Sequence, residues 1–369
     1  MIREEINEIK KQFNKDTNVI TKYAGCYVDA EKNIKFMTKD AFYSLPEEDA
    51  FKYEEIFRKT LSGAVGKSLL TLDFSIDEEG DDTPHAFLMK LRESRLDDEL
   101  ILDEFFRKVI GAYEYAENYY IILVDMMYDI PGKSSDKLAM EDASNEVYHG
   151  LLCSICPVTL SKPALSYFAN EGVIANRIRD WIVGMPMHGF LFPAFTDRTT
   201  DIHAALYFSK KNDALNESFI NEIIGVNPPM SSVMQKETFE AVLYDVLRDE
   251  LTMPVISALS SNMLDLIAEN SQNPEPLVLT KNDMVKLISK SGVSDEAVES
   301  YEKSADADIE VLADNVVDTR KFEVKTPGIT VKTDTDSIEK LETRVIDGRK
   351  YLLVPIEDDV EVNGMPVKA

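Results

Sequence analysis

Residues 176–211 read NRIRDWIVGMPMHGFLFPAFTDRTTDIHAALYFSKK. Short apolar runs alternate here with Gly, Pro and Asp, which is typical of short strands joined by turns. The pattern favours an antiparallel meander over βαβ units, whose strands are separated by helices. The stretch also holds the only tryptophan, Trp181, and two of the four histidines. Both the fold and the search for a site therefore start from it.

The segments before this stretch extend its β character. Residues 119–128 are the longest apolar run, interrupted only by Asp125, and they are too apolar for an exposed edge, which predicts a central strand. Periodicity and turn signals predict the other elements. Strands are expected over residues 19–28, 34–37, 68–76 and 147–159, and helices over residues 3–13, 84–93 and 97–116 and from Ser44 to a stop at Gly63.

Beyond residue 211 the pattern becomes helical and then returns to β. Helices are expected over residues 215–224, 235–248, 254–270, 280–289 and 295–304. In the tail, Pro-Gly, Asp-Gly and Asn-Gly pairs between alternating residues predict hairpins. The fold class is therefore α+β, with a mixed or antiparallel sheet, flanking helices, a helical middle region and a small C-terminal β-hairpin module. The expected domains are residues 1–211, 212–317 and 318–369.

Composition restricts the class of partner. The chain of 369 residues is 44% hydrophobic, as a globular protein is. Its 40 basic and 67 acidic residues give a net charge of −27, which repels phosphate backbones and anionic lipid and makes nucleic acid a disfavoured partner. Residues 177–211 locally reverse this sign, with five positive and three negative side chains. The reversal favours a small anionic ligand or a protein partner, or else a structural ion-pair network.

The expected compartment is the cytoplasm. The N-terminal residues are charged and lack the apolar core of a signal peptide. The longest apolar run is about half the length that spans a bilayer, so no membrane segment is expected. Three cysteines in so long a chain do not form a disulfide framework.

Two motifs resemble known sites and fail on physical grounds. Gly63 to Ser68 resembles the end of a phosphate-binding loop, but Leu61 replaces the first glycine and the expected order is helix then strand, which is the reverse of that loop. Cys153 and Cys156 have metal-ligand spacing, but on a strand they point to opposite faces. Two buried, inert thiols are the expected outcome, and neither a metal nor a cofactor is expected.

The candidate site residues are the polar cluster that follows Phe195 and two arginines, Arg177 and Arg179, expected to lie near it in space. Asp201 and His203 are the candidate catalytic residues, as an acid/base histidine with an orienting carboxylate. Arg177, Arg179 and Arg198 are the candidate ligand-binding residues, since arginines bind anions. The alternative is that these side chains pair structurally at a turn, as polar turn clusters commonly do.

Several longer stretches resemble one bacterial family, the domain of unknown function 4317. They are GCYVD (25–29), SLPEED (44–49), KTLSGAVGKSLL (59–70), LLCSICPVTLSKPALSY (151–167), the segment that begins at Asn176, and VIDGRKYLLVP (345–355). The resemblance runs nearly end to end. It implies a bacterial cytoplasmic protein and no particular chemistry.

No activated nucleophile, metal spacing or phosphate loop is recognised in the sequence. The leading hypothesis is therefore a non-catalytic binding or regulatory protein. The alternative is a hydrolase or transferase that acts on an anionic substrate at the region from Arg177 to His203. A binding role predicts an exposed apolar patch or groove, whereas the enzyme requires Arg198, Asp201 and His203 to converge in one pocket.

Overall fold

A computed structural model gives the fold and describes residues 1–14, 16–17, 19–133, 139–140, 146–213, 215–304, 307, 309–356, 360–362 and 365–367. The chain forms two compact units, Met1–Ser231 and Ser232–Ala369. The three-part division expected from the sequence stays a prediction. No helix among the described residues is long and apolar enough to cross a membrane.

Unit 1 contains five helices and fourteen strands within the described ranges. The helices are α1 (Arg3–Lys11), α2 (Glu47–Thr60), α3 (Pro84–Glu93), α4 (Glu99–Ala112) and α5 (Glu217–Phe219), the last continued by a π-helical turn over Ile220–Ile224. The strands are β1 (Ile20–Val28), β2 (Ile34–Ala41), β3 (Leu69–Asp73), β4 (Tyr119–Ile130), β5 (Gly132–Lys133), β6 (Ala139–Met140), β7 (Glu146–Leu160), β8 (Leu165–Phe168), β9 (Val173–Asn176), β10 (Trp181–Val183), β11 (His188–Phe192), β12 (Ala194–Thr196), β13 (Thr199–Asp201) and β14 (Ala204–Ser209).

An eight-stranded sheet is the frame of unit 1. Its order is β2-β1-β4-β7-β11-β14-β3, with β10 paired to the end of β7, and the pairs along it are antiparallel. The α+β class and the antiparallel sheet are therefore confirmed. Strand β4 lies between β1 and β7, which confirms the central strand expected from its apolar run.

Each face of the sheet is covered by helices, because alternate residues of the central strands are apolar on both sides. Helices α3 and α4 and the π-helical turn pack on one face, with Leu123 and Cys153. Helices α1 and α2 pack on the other, with Val124 and Cys156. The two cysteines therefore lie on opposite faces, as the period of the strand predicts.

One expected helix start is wrong. Helix α2 begins at Glu47, not at Ser44. The Ser44 hydroxyl donates to the carbonyl of Ala41 at 2.6 Å within a 3-10 turn, so it is not available to cap the helix. Pro46 precedes the first helical residue, where its fixed φ suits a helix start.

Unit 2 combines helices with short hairpins. Its helices are α6 (Ser232–Leu247), α7 (Met253–Glu269), α8 (Lys281–Ser289), α9 (Asp295–Lys303) and α10 (Ala313–Val316). Its strands are β15 (Val278–Leu279), β16 (Val311–Leu312), β17 (Lys321–Thr326), β18 (Ile329–Asp334), β19 (Glu342–Ile346), β20 (Arg349–Leu353), β21 (Val360–Val362) and β22 (Met365–Val367).

The tail hairpins follow their turn residues. Strands β17 and β18 pair around Pro-Gly, and β19 and β20 pair around Asp347 and Gly348, which have φ values of 49° and 77°. Positive φ at both turn residues is what a two-residue hairpin requires. Strands β21 and β22 also pair, while the Asn-Gly pair expected to turn them, residues 363 and 364, lies outside the described residues.

Candidate functional site

Arg198 is engaged in an ion pair with helix α1. It lies with Asp197 in the turn between β12 and β13, at φ values of 59° and 53°. Its Nη2 donates to Glu8 Oε1 at 2.8 Å and to the carbonyl of Pro131 at 3.1 Å. The hydrogen bond to Glu8 raises the pKa of Arg198. The charge of Arg198 is therefore balanced within the protein.

His203 makes a separate pair. Its Nδ1 lies 2.6 Å from Glu79 Oε1, its side chain is exposed, and Glu79 raises the pKa of its imidazole. Asp201 accepts a hydrogen bond from the backbone N–H of His203 at 3.1 Å, as a turn residue does. Glu79 is the last residue of a 3-10 turn that comes shortly before α3. Helix α3 packs on the face of the sheet opposite to α1. Arg198 and His203 thus pair with elements from different faces.

The remaining two candidate arginines belong to another part of the surface. The backbone N–H of Arg177 donates to the carbonyl of Ala164 at 2.8 Å, and Arg179 Nε donates to the carbonyl of Ser161 at 2.7 Å. Both contacts fix the path of the chain between β9 and β10. The positively charged side chains of residues 177–211 are therefore spread over three places: this connection, the turn that carries Arg198, and Lys210 and Lys211 directly after β14.

The two discarded motifs have the surroundings that the sequence predicted. Gly63 to Ser68 lies between helix α2 and strand β3, the reverse of a phosphate-binding loop. Burial raises the pKa of both Cys153 and Cys156 and leaves them unreactive thiols. The described residues contain no group of three or more His, Cys, Asp or Glu side chains that could hold a metal ion.

A buried aspartate and a histidine form a cluster that sequence reasoning missed. Asp125 on β4 is fully buried, and His149 on β7 places its Nε2 2.6 Å from Asp125 Oδ1. Thr21 donates a hydrogen bond to Oδ2 of the same carboxylate. Thr21 lies where the register of β1 and β4 shifts, and such a bulge redirects a side chain. The carboxylate thereby holds the imidazole in one orientation.

Two arginines at the end of α3 complete this cluster. Arg92 Nε donates to the carbonyl of His149 at 2.8 Å, and Arg95 Nε lies 3.9 Å from Asp125 Oδ2. Arg95 has a φ of 50° and a half-exposed side chain. No described residue is bonded to Nδ1 of His149, whereas the carboxylate of Asp125 holds Nε2.

A cavity of about 350 Å³ opens between the start of α2 and the residues that follow α1. Its lining is of three kinds. The aromatic and aliphatic side chains are Ile20, Phe42, Tyr43, Leu45, Ala50 and Phe51. The neutral polar ones are Gln12, Asn14 and Thr17, and the carboxylates are Asp16, Glu47 and Glu54. No positively charged side chain lines it among the described residues. The volume lies within the range of small-molecule sites, roughly 300–1,000 Å³.

Glu54 is the unusual group in this lining. The residue is 6% exposed, and its Oε2 accepts no hydrogen bond. The nearest cation is Arg58, whose Nη1 lies 3.6 Å away, one helical turn later, and also donates to the carbonyl of Phe13. Burial raises the pKa of Glu54, and burial together with the Glu54 charge raises that of Tyr43. A carboxylate oxygen with no hydrogen bond therefore lies directly beneath the surface of an aromatic cavity.

The aromatic wall of the cavity is fixed by the core. The ring of Phe42 packs edge-on against Tyr23 and Tyr53, with centroids 6.1 and 6.5 Å apart, and against Phe57 at 6.2 Å. The Phe42 ring is buried, whereas Tyr43 and Phe51 are exposed at the rim. The cavity therefore has a rigid apolar floor and an accessible mouth.

The fold and this cavity define an α+β protein with a carboxylate-lined cavity. Over residues 1–365 the chain matches the family described as a domain of unknown function (DUF4317), and it belongs to that family. No curated protein matches the chain. The family confirms the resemblance that the sequence predicted and adds no activity.

Proposed function

We propose that this protein is a non-catalytic binding protein, and that its ligand is a small organic ammonium ion held in the cavity beside Glu54. One observation carries the proposal, namely the buried Oε2 of Glu54 that accepts no hydrogen bond. An unsatisfied buried acceptor is costly to the fold, and proteins commonly keep such groups where they bind a ligand.

The surroundings of Glu54 support a cation. Asp16 and Glu47 add two carboxylates to the lining, and the electron-rich faces of Tyr43 and Phe51 attract cations in the same way. A primary ammonium group supplies N–H donors to Oε2, whereas an anionic ligand meets repulsion from three carboxylates. This departs from the small anionic ligand expected from the sequence, because the structure pairs Arg198 with Glu8.

An organic cation fits better than a metal ion. The described carboxylates of the cavity do not gather into a group that could hold a metal. About half of the lining residues are aromatic or aliphatic, and such surface stabilises an organic group but supplies no metal ligands. The ligand class is therefore an alkylammonium or arylalkylammonium ion.

The experiment compares a charged probe with its neutral analogue. We expect 2-phenylethylammonium to raise the thermal unfolding midpoint of the protein, because a ligand that binds only the folded state stabilises it. We expect 2-phenylethanol, which keeps the shape and loses the charge, to give a much smaller shift at the same concentration. Equal shifts with the two probes, or no shift with either at millimolar concentration, would reject the ammonium site.

A second candidate function rests on the Asp125–His149 pair. A buried carboxylate that orients an imidazole prepares it as a general base, and the half-exposed Arg95 beside it can bind an anion. This keeps the alternative of a hydrolase acting on an anionic substrate, with His149 in the role proposed for His203. Hydrolysis of p-nitrophenyl phosphate that His149→Gln abolishes would support it. Equal rates for this variant and the wild type would reject it.

The proposal includes a bacterial cytoplasmic location. The three cysteines are free and buried, as expected in a reducing compartment. Fractionation of cells that express the tagged chain tests this point directly. Recovery in the periplasm or culture medium would contradict it.

A further inference from the structure

The segment of residues 162–185, called the arm here, exposes far more apolar surface than a stable monomer normally does. It comprises the β8–β9 hairpin, the connection through Arg177 and Arg179, and β10. Nine of its large apolar side chains are between 37 and 74% exposed. The six most exposed are Leu165, Tyr167, Ile174, Ile178, Trp181 and Ile182.

The arm has no cover on either side. Every residue of β9 and of β10 is exposed, although successive residues of a strand point to opposite faces. A two-stranded hairpin by itself is marginally stable in water. The β10 end of the arm pairs with β7, whereas β8 and β9 pair only with each other among the described strands. The exposed side chains of the arm therefore require a surface to pack against.

The exposed area of the two faces of the arm together reaches the size of one side of a stable protein interface. At roughly 150–200 Å² for a whole side chain of this size, about half exposed, nine side chains present on the order of 800 Å². Standard interfaces bury about 800 Å² per partner, whereas the largest patch on a typical monomer is about 300–600 Å². An arm that packs on a second arm supplies both halves of such an interface.

Charge favours a second copy of the chain as the partner. The arm carries three basic side chains (Lys162, Arg177, Arg179) and two acidic ones (Glu171, Asp180), in a chain of −27. Two copies repel each other across most of their surfaces. Contact through this nearly neutral apolar segment brings them together with less repulsion than contact through the strongly acidic parts of the surface.

We propose that this protein forms a homodimer in which the arms of two copies pack against each other about a two-fold axis. A two-fold axis places the same patch on both sides of the interface. Trp181, the only tryptophan of the chain, lies within it and is 54% exposed in a single copy. Dimer formation buries its indole and shortens its emission wavelength.

Sedimentation equilibrium at tens of micromolar tests the proposal. We expect twice the mass of one chain, with dimerisation strengthened at ~0.5 M NaCl because salt screens the net negative charges. Ile178→Asp places a charge in the interface and should weaken dimerisation ~100-fold. Ile76→Asp is the matched control, since Ile76 is 91% exposed outside the arm, and it should dimerise as the wild type does.

Three outcomes would overturn the dimer. They are a monomeric wild type at both salt concentrations, an Ile178→Asp variant that dimerises like the wild type, and a Trp181 emission that does not change with protein concentration. Because the altered side chains are exposed, circular dichroism should show all variants folded. A monomer with a protected Trp181 would point to another cover for the arm and would equally reject a second copy.

Discussion

Replacing Glu54 by glutamine should stabilise the protein at neutral pH, which is the opposite of what most substitutions at a buried position do. The amide keeps the shape of the carboxyl group and cannot ionise. In the wild type, the ionised carboxylate is buried with one unbonded oxygen, and Arg58 at 3.6 Å compensates it only in part. Glu54→Gln removes this cost of ionisation.

The magnitude follows from the contacts of Glu54. Taking a carboxylate out of water costs several kcal/mol, most of which a nearby opposite charge offsets. With Arg58 at 3.6 Å, the expected gain from removing the charge is about 1 kcal/mol. The gain depends on pH because burial raises the pKa of Glu54 in the folded state. The wild type is penalised as pH rises through that raised pKa, and the penalty is absent below the ordinary pKa of glutamate. The variant and the wild type should therefore converge as pH falls.

Urea denaturation followed by circular dichroism measures the difference at pH 8 and at pH 4, which lie on either side of the ordinary pKa of glutamate, about 4.3. The matched control is Glu55→Gln, because Glu55 is the neighbouring exposed residue on α2 and its Lys52 partner lies 4.0 Å away. We expect the control to change stability by less than about 0.5 kcal/mol at every pH. A Glu54→Gln variant that is less stable than the wild type at pH 8, or whose gain does not depend on pH, would refute the reasoning.

Two further predictions concern the buried polar groups and thiols of the sheet. Asp125→Ala should lower the free energy of unfolding by about 3 kcal/mol, because His149 and Thr21 lose the carboxylate that they share; a urea midpoint within error of the wild type would contradict the role of this carboxylate. The three cysteines should not react with a disulfide reagent at pH 7 until urea unfolds the chain. They are buried, and burial raises the pKa of Cys26 to about 12. Rapid reaction of the folded protein would contradict this prediction.

Much of the frame could be predicted from local pattern. The apolar run around Asp125 identified the central strand, and the strand period placed Cys153 and Cys156 on opposite faces. Asp-Gly identified the turn between β19 and β20, because few residue pairs tolerate positive φ at both positions. These features depend on neighbours in the sequence, which periodicity and turn chemistry describe.

The sites depend on residues far apart in the chain, so local pattern did not reveal them. Periodicity predicted the helix α2, but the cavity that makes Glu54 unusual is closed by residues 12–20 and 42–45. Asp125 was recognised only as an interruption of an apolar run, since its partners lie 24 and 104 residues away. The pairing register of the strands brings these groups together.

The short distance between Arg198 and His203 in the sequence was misleading for a related reason. A tight turn and a strand separate them, and each side chain pairs with a carboxylate from a different helical layer, Glu8 and Glu79. Nearness in sequence therefore did not produce one site. The catalytic role expected for Asp201 and His203, and the ligand-binding role expected for the three arginines, stay predictions.

The most direct test of the central claim is the affinity of 2-phenylethylammonium for the wild type and for Glu54→Gln, measured by isothermal titration calorimetry at pH 8. The variant keeps the cavity and should be at least as stable, so lost binding reports the missing charge. We expect its dissociation constant to be at least ~10-fold larger, as loss of a charged hydrogen bond of about 1.5–3 kcal/mol implies, and Glu55→Gln to bind as the wild type does. Equal dissociation constants for wild type and Glu54→Gln would contradict the ammonium site.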